Sequence, residues 1–238
     1  MTNSWSARSV ELERRRCRDP TVPLPSFPAP ALGAALFIEP TAWLSLRSGV
    51  YDGAPRIESV GFDGAFEHGA FFIASALVRH PVAGAGRGAA LHSVGAWYHS
   101  RDVVTARETL PGNFGAFLST DVLWPLAPAV PDDTRGVQGF VRVGWAPPDR
   151  NPMTLFVGGG LTYHGLRGND TVGIGAGQAR LTADATRRTH GESFAELFYK
   201  ARFTAWFSVE PDLQLVRGAN SAPASTALVG GVRVKLKL

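Results

Sequence analysis

QGFVRVGWAPPDRNPMTLFVGGGLTYHGLRGNDTVGIGAGQARL, residues 138–181, decides the fold, because it joins three alternating segments through one tight turn and one polar loop. In the first segment Val141, Val143 and Trp145 share one face while Gln138, Arg142 and Gly144 share the other. That period of two belongs to a strand with one apolar side. Pro147-Pro148-Asp149-Arg150-Asn151-Pro152 then stops it. Prolines remove N–H donors and fix φ, and Asp and Asn bond to their own backbone, so neither strand nor helix continues through. A second strand follows from about Met153 to Tyr163, and the Gly-alternating segment near 172–181 makes a third. Gly158, Gly159 and Gly160 weaken a soluble two-sheet core but are tolerable where a neighbouring backbone or loop lies close. The stretch reads as an antiparallel meander.

Working outward, the same alternation recurs. Strands are predicted at Ala31–Ile38 and Trp43–Tyr51, where Leu44, Leu46 and Val50 oppose Ser45, Arg47 and Tyr51. Further strands are expected at His68–Arg79, Ala90–His99, Phe114–Trp124, Ser193–Phe203, Phe207–Leu215 and Leu228–Leu238. Ser193–Phe203 and its successor are two-sided: Glu196, Lys200 and Arg202 share a face, as do Glu210, Asp212 and Gln214, so neighbouring strands bring acids and bases together. In the final strand Arg233, Lys235 and Lys237 alternate with Leu228, Val232, Val234, Leu236 and Leu238. About eleven strands result.

The 238 residues carry 18% charged and 10% aromatic side chains, with 27 glycines. No apolar run approaches the roughly 20 residues of a membrane helix. A transmembrane barrel remains open, since its strands need only about 9–11 residues and hide their apolar face by alternation. The mean hydropathy of -0.01 is compatible with that. Trp43, Trp97, Trp145, Tyr163, Tyr199 and Trp206 are read as membrane-interface aromatics near strand ends, with Trp124 and Tyr98 beside them, because an amphipathic ring suits the headgroup level. Long connections at Arg101–Asn113 and Pro125–Gly136 are expected on one side of the barrel, and short turns at Pro40, Pro147 and Ala205 on the other. Alternation alone also fits a soluble sandwich.

The net charge of +4 does not make a nucleic-acid protein, since the basic residues are dispersed and no binding motif accompanies them. One cysteine excludes an internal disulfide and a Cys-based zinc site. His68, His80, His92, His99, His164 and His190 form no metal-ligand spacing, so no metal and no cofactor is expected. Gly191-Glu192-Ser193-Phe194-Ala195 falls short of a nucleophile elbow, and Gly173-Ile174-Gly175-Ala176-Gly177 lacks the spacing of a dinucleotide site. No nucleophile, base and orienter set emerges, so no catalytic residue is named and the protein is read as a non-enzyme. Residues 1–30 differ from the rest. Glu11, Glu13 and Arg14-Arg15-Arg16 leave no apolar signal core, and the prolines of TVPLPSFPAP oppose helix and central strand, so a poorly ordered tail without a signal peptide is expected before a strand domain at 31–238.

RVGWAPPDRN, GGGLTYHGL and VGIGAGQARL, together with PALGAALFIEPTAWLSLRSGVYDGAP, GAFFIASALV, GAWYHS, GNFGAFLSTDVLW, FAELFYKARFTAWFSVEPDLQLV and ALVGGVRVKLKL, resemble in order and spacing the C-terminal part of the carbohydrate-selective porins, the glucose-porin family of bacterial outer membranes. The resemblance runs from about Pro28 to Leu238. It implies an all-β fold, an antiparallel meander transmembrane β-barrel of the outer-membrane porin type, here a partial barrel shorter than the family's sixteen or so strands. It also implies passive facilitated diffusion of mono- or oligosaccharides, an outer-membrane location, contact with outer-membrane lipid and assembly by the barrel-assembly machinery. On that reading the chain is a shortened version of a longer porin, with no inference about oligomeric state. Its terminal Leu238 departs from the aromatic ending of the family's last strand. Lumen-facing or sugar-path candidates are then Arg47, Arg142, Glu196, Lys200, Arg202, Glu210, Asp212 and Gln214. A soluble β-sheet binding protein, an outer-membrane barrel enzyme and a truncated, inactive porin fragment are the alternatives.

Overall fold

The computed structural model describes residues 32–53, 64–82, 88–105, 108–126, 135–182, 191–218 and 225–237. The expected tail at 1–30, His190 and the terminal Leu238 lie outside them. Thirteen strands follow in order: β1 (Gly33–Thr41), β2 (Leu44–Asp52), β3 (Ala70–Pro81), β4 (Ala89–His99), β5 (Val103–Val104), β6 (Thr109–Leu110), β7 (Asn113–Pro125), β8 (Gly136–Trp145), β9 (Met153–His164), β10 (Thr171–Leu181), β11 (Gly191–Arg202), β12 (Phe207–Arg217) and β13 (Thr226–Leu236). Eleven form one antiparallel meander in the order β1-β2-β3-β4-β7-β8-β9-β10-β11-β12-β13, and β5 with β6 makes a separate small hairpin. The sheet is not closed. Because direction reverses at every step, β1 and β13 run parallel, and joining them directly would require the one pairing of that kind in the sheet.

The eleven long strands have 9 to 13 residues. At about 3.3 Å per residue and a tilt near 40°, they span roughly 23–33 Å, which matches a bilayer's hydrocarbon core. Cross-strand register makes the two faces continuous. One row at mid-height joins Leu46, Ala76, Val94, Leu118, Val143 and Val157. The adjacent row on the opposite face joins Arg47, Ser75, Gly95, Phe117, Gly144 and Phe156. The first face is apolar and exposed, with Val94 at 57%. Side chains that a water-soluble sheet would bury are here left uncovered by the chain itself.

Glycine shapes the other face. A Cβ on Gly173 would come within 2.3 Å of Phe198 Cε1, and one on Gly160 within 2.7 Å of Phe140 Cε1. Phenyl rings therefore lie on bare backbone of the neighbouring strand, and the Gly-alternating run VGIGAG is the space they need. The buried cluster of Phe71, Trp97 and Ala146, with Tyr51, Ile73 and Phe117 around it, sits on this face.

Successive connections alternate between the two ends of the sheet, which corrects the expected grouping of loops. The links β1–β2, β3–β4, β7–β8, β9–β10 and β11–β12 lie at what we call the turn end, and the links β2–β3, β4–β7, β8–β9, β10–β11 and β12–β13 at the loop end. Arg101–Asn113 and Pro125–Gly136 flank β7 and so lie at opposite ends, while the Pro147 turn shares the loop end with the former. The reason is parity: one strand carries the chain across, whatever the length of the link. Arg101–Asn113 is also not plain loop, since it contains β5 and β6.

The APPDRN turn clasps its neighbours at the loop end. Arg150 Nη1 donates to the carbonyls of Pro111 (3.1 Å) and Gly112 (2.9 Å), and its guanidinium lies 5.4 Å from the Phe114 ring centroid. Asn151 and Asn113 exchange amide hydrogen bonds at 2.8 and 2.9 Å. Thr182 Oγ1 donates to the Asn151 carbonyl at 2.6 Å. Asp149 is held below the usual carboxylate range, chiefly by its hydrogen bond from Arg150.

Candidate functional site

All eight charged or polar candidates fall on one face. In β11 and β12 the pairs Glu196↔Gln214, Phe198↔Asp212 and Arg202↔Ser208 fix the level, and Lys200 and Glu210 stand between them with the same parity. Continuing outward, Glu210 faces Arg233, Asp212 faces Gly231 and Ser208 faces Lys235. Thus Glu196, Lys200, Arg202, Glu210, Asp212 and Gln214 are brought together on two adjacent strands. Gln214 Nε2 donates to Asp212 Oδ1 at 3.2 Å, and Arg233 Nη1 donates to Glu210 Oε1 at 2.7 Å. The Arg233 side chain is 59% exposed, so that pair is worth about 0–1 kcal/mol and fixes position more than stability.

Arg142 stands apart on β8. Its Nη2 donates to Asp121 Oδ2 at 2.7 Å and its Nη1 to the carbonyls of Thr120 (3.0 Å) and Val141 (2.9 Å), with the guanidinium 5.5 Å from the Phe140 ring centroid. This arginine is anchored, with a fixed cation on the wall as the result. Arg47, on β2, is level with Phe37 and Ser75. It lies several strands from Arg142, and neither joins the β11–β12 group.

The aromatics divide by end. Trp145 is on the apolar face at the loop end, where Phe72, Tyr98 and Phe114 flank it through the shared register. Tyr163 is on the apolar face at the turn end, in register with Val137, which in turn faces Trp124. Trp43 and Trp206 occupy turn-end links and are 55% and 57% exposed. From Val137 to Trp145 the chain advances eight residues, about 26 Å along the strand and roughly 20 Å along the normal at a 40° tilt. Two aromatic rims therefore bound the apolar band.

Trp97 is the exception and corrects the sequence reading. It is 2% exposed on the charged face, stacked on Phe71 at 6.0 Å, with its indole lying over Gly115. Trp97 and Tyr98 are adjacent on a strand and must point to opposite faces, so only Tyr98 joins the rim. Tyr199 shares the apolar face with Val172 and bonds through its hydroxyl to Asp170.

Asp170, which the sequence reading passed over, is 1% exposed in the β9–β10 link. It accepts hydrogen bonds from the Tyr199 hydroxyl, from the Arg202 backbone N–H at 2.8 Å and from Arg167 Nε at 3.1 Å. The Tyr199 hydrogen bond, then those of Arg202 and the charge of Arg167, hold its carboxyl below the ordinary range against the opposing effect of burial. Of its partners only Arg167 is local; Tyr199 and Arg202 are about thirty positions away, and no local pattern announces them. The same holds for His80 and His92, whose Nε2 atoms meet at 2.9 Å across the β3–β4 pair while His92 Nδ1 reaches Thr120 Oγ1 at 3.0 Å. The rings meet head to head, their centroids 5.1 Å apart, as one imidazole N–H bonding to the other's nitrogen requires. Among the described residues no group of three or more His, Cys, Asp or Glu is placed to hold a metal ion.

Among the described residues the wall is polar on one face and apolar on the other, with Arg142 and Arg233 held by ion pairs. A family model described as carbohydrate-selective porin, OprB family, matches residues 22–238. The structure described as the high pH structure of Pseudomonas putida OprB superposes with a TM-score of 0.75 at 16% identity, covering 88% of this chain and 59% of that one. The present chain thus spans about three fifths of that neighbour's length. Curated proteins include no match.

Proposed function

Since the chain belongs to the OprB family of carbohydrate-selective porins, we propose that its sheet is the wall of a water-filled passage in the bacterial outer membrane, through which mono- or oligosaccharides cross by facilitated diffusion and without chemical change. One observation carries this reading: the eight charged and polar candidates share one face, while the opposite face is an uncovered apolar band between two aromatic rims. Lipid replaces the missing core on that band, and water wets the other face. Outer-membrane lipid and the barrel-assembly machinery are the partners this placement calls for.

Passage needs no nucleophile or base. A sugar moving along the charged face meets Arg47 and Arg142 as cations, Glu196, Asp212 and Gln214 as hydroxyl acceptors, and phenyl faces such as Phe198 and Phe140 for the apolar side of a pyranose. Weak contacts in series let a solute enter without trapping it. Within a membrane the free edges of β1 and β13 must be met by other strands, since unpaired backbone in hydrocarbon costs several kcal/mol per group.

The test is refolding of the chain into detergent and lipid, followed by single-channel conductance with and without glucose or maltose. Discrete steps reduced by sugar are the expected result. A protein that stays monomeric in water without detergent, and never enters lipid, would show the soluble β-sheet reading to be right instead.

A further inference from the structure

The two histidines on the apolar face, which the sugar passage does not use, are built like half of a metal site. In register Val78 stands opposite His92 and Ala90 opposite His80, so the histidines are diagonal neighbours, a separation that aromatic rings span. Ala90 contributes only a methyl beside them, and their Nε2 atoms meet at 2.9 Å. Both rings are held from behind. His80 Nδ1 is 3.0 Å from the Pro81 carbonyl oxygen, and His92 Nδ1 is 3.0 Å from Thr120 Oγ1. A carbonyl only accepts, so His80 carries its proton on Nδ1 and, when neutral, presents a bare Nε2. His92 then donates from Nε2 and accepts the Thr120 hydroxyl on Nδ1.

One proton shift separates this state from a ligating one. When the His92 proton moves from Nε2 to Nδ1, where Thr120 Oγ1 accepts it, both Nε2 lone pairs are free and face each other, and no proton is released overall. Each ring then donates its other N–H to a fixed oxygen, the support that metal-bound histidines almost always have. A tetrahedral zinc ion with bonds of about 2.0–2.1 Å sets its nitrogens about 3.3 Å apart, so the pair opens by roughly 0.4 Å and the rings swing out of line. His80 is exposed and next to the last residue of β3, so water reaches the pair and fills the remaining positions. On the same face the described neighbours Leu44, Val78 and Val122 carry no charge to oppose a cation. Arg79, adjacent to His80 on the strand, points to the other face. We propose that His80 and His92 bind one borderline divalent transition ion, zinc, nickel or copper(II), across the β3–β4 pair, with Thr120 positioning His92.

Equilibrium dialysis of the full chain folded in detergent micelles, in neutral buffer, tests this with Zn2+, Ni2+ and Mg2+. A Cys17→Ser background removes the chain's one thiol as a competing ligand. Two of the four donors of a structural zinc site give a dissociation constant on the order of 10–100 μM. One Zn2+ or Ni2+ per chain should be retained and Mg2+ should not, since imidazole suits the first two. Loss of an outer partner costs roughly 10–100-fold in metal affinity, so Thr120→Val should weaken Zn2+ retention about tenfold, and His80→Gln or His92→Gln at least as much. Thr120→Ser, which keeps the hydroxyl, should retain Zn2+ as the parent does, and so should His68→Gln. Migration before and after heating checks that each variant folds. Where one does not, the parent chain loaded with Cu2+ gives the ligand count directly, as two coupled imidazole nitrogens in its electron paramagnetic resonance spectrum. Zn2+ retained no better than Mg2+ overturns the assignment. So does retention unchanged in both pair variants, a loss in His68→Gln equal to that in His92→Gln, or a Cu2+ spectrum without two coupled nitrogens.

Discussion

Arginine at position 94 and arginine at position 93 should have opposite consequences, although the positions are neighbours. Val94 is in the middle of β4, 57% exposed on the apolar face, in register with Ala76 and Leu118. Ser93 faces Leu77 and Ser119 on the charged face. If lipid covers the apolar face, Val94→Arg puts a guanidinium near the midplane, at a cost of about 2–4 kcal/mol. At about 1.4 kcal/mol per factor of ten this weakens folding roughly 30- to 700-fold. In water the same substitution would fall within about 0.5 kcal/mol, because Val94 is 57% exposed. Ser93→Arg adds a cation to a wetted wall and should stay under about 1 kcal/mol. The assay is reversible urea unfolding from lipid vesicles, followed by tryptophan fluorescence and by the migration of folded and heated protein. Equal costs at 93 and 94, or a larger cost at 93, would refute the assignment of faces and the membrane reading with it.

Asp170→Asn removes a buried charge that accepts from three donors and should destabilise by about 2–3 kcal/mol in the same titration, with Tyr199→Phe costing about 1 kcal/mol and the pair less than additive. The Asp170 pKa is lowered on folding, so its contribution is fully present above the unfolded carboxylate value of about 4 and is lost as pH falls through the lower folded value; wild type should lose this stability on acidification and the Asn variant should not. Gly173→Ala drives a methyl into the Phe198 ring and should cost about 1–3 kcal/mol, whereas Gly230→Ala, with nothing within 4 Å, should be near neutral, as urea midpoints will show. Arg150→Ala breaks the clasp to Pro111 and Gly112 and should speed proteolytic cleavage between β4 and β7 without abolishing folding.

What the sequence by itself determined is the alternation and what depends on it. The side-chain period of two is a property of the extended backbone, so Arg142 against Val141, or Glu196 against Leu197, could be assigned to opposite faces before any strand was paired. The proline-rich turn at 147–152 and the glycine run at 172–177 likewise act through their own φ and their own lack of Cβ. The same rule, applied strictly, separates Trp97 from Tyr98; proximity to a strand end is a weaker guide than parity.

Tertiary structure decided what depends on which strand lies beside which. Asp170 is buried only because Tyr199 and Arg202 come from β11, and His80 meets His92 only through the β3–β4 register. The grouping of six candidates on β11 and β12 and the anchoring of Arg142 by Asp121 are also products of register. A one-residue slip would turn every side chain of a strand to the other face, and no local propensity fixes that choice. Register is set by the summed fit of whole strands: rings over glycines on one face, and an apolar band between aromatic rims on the other.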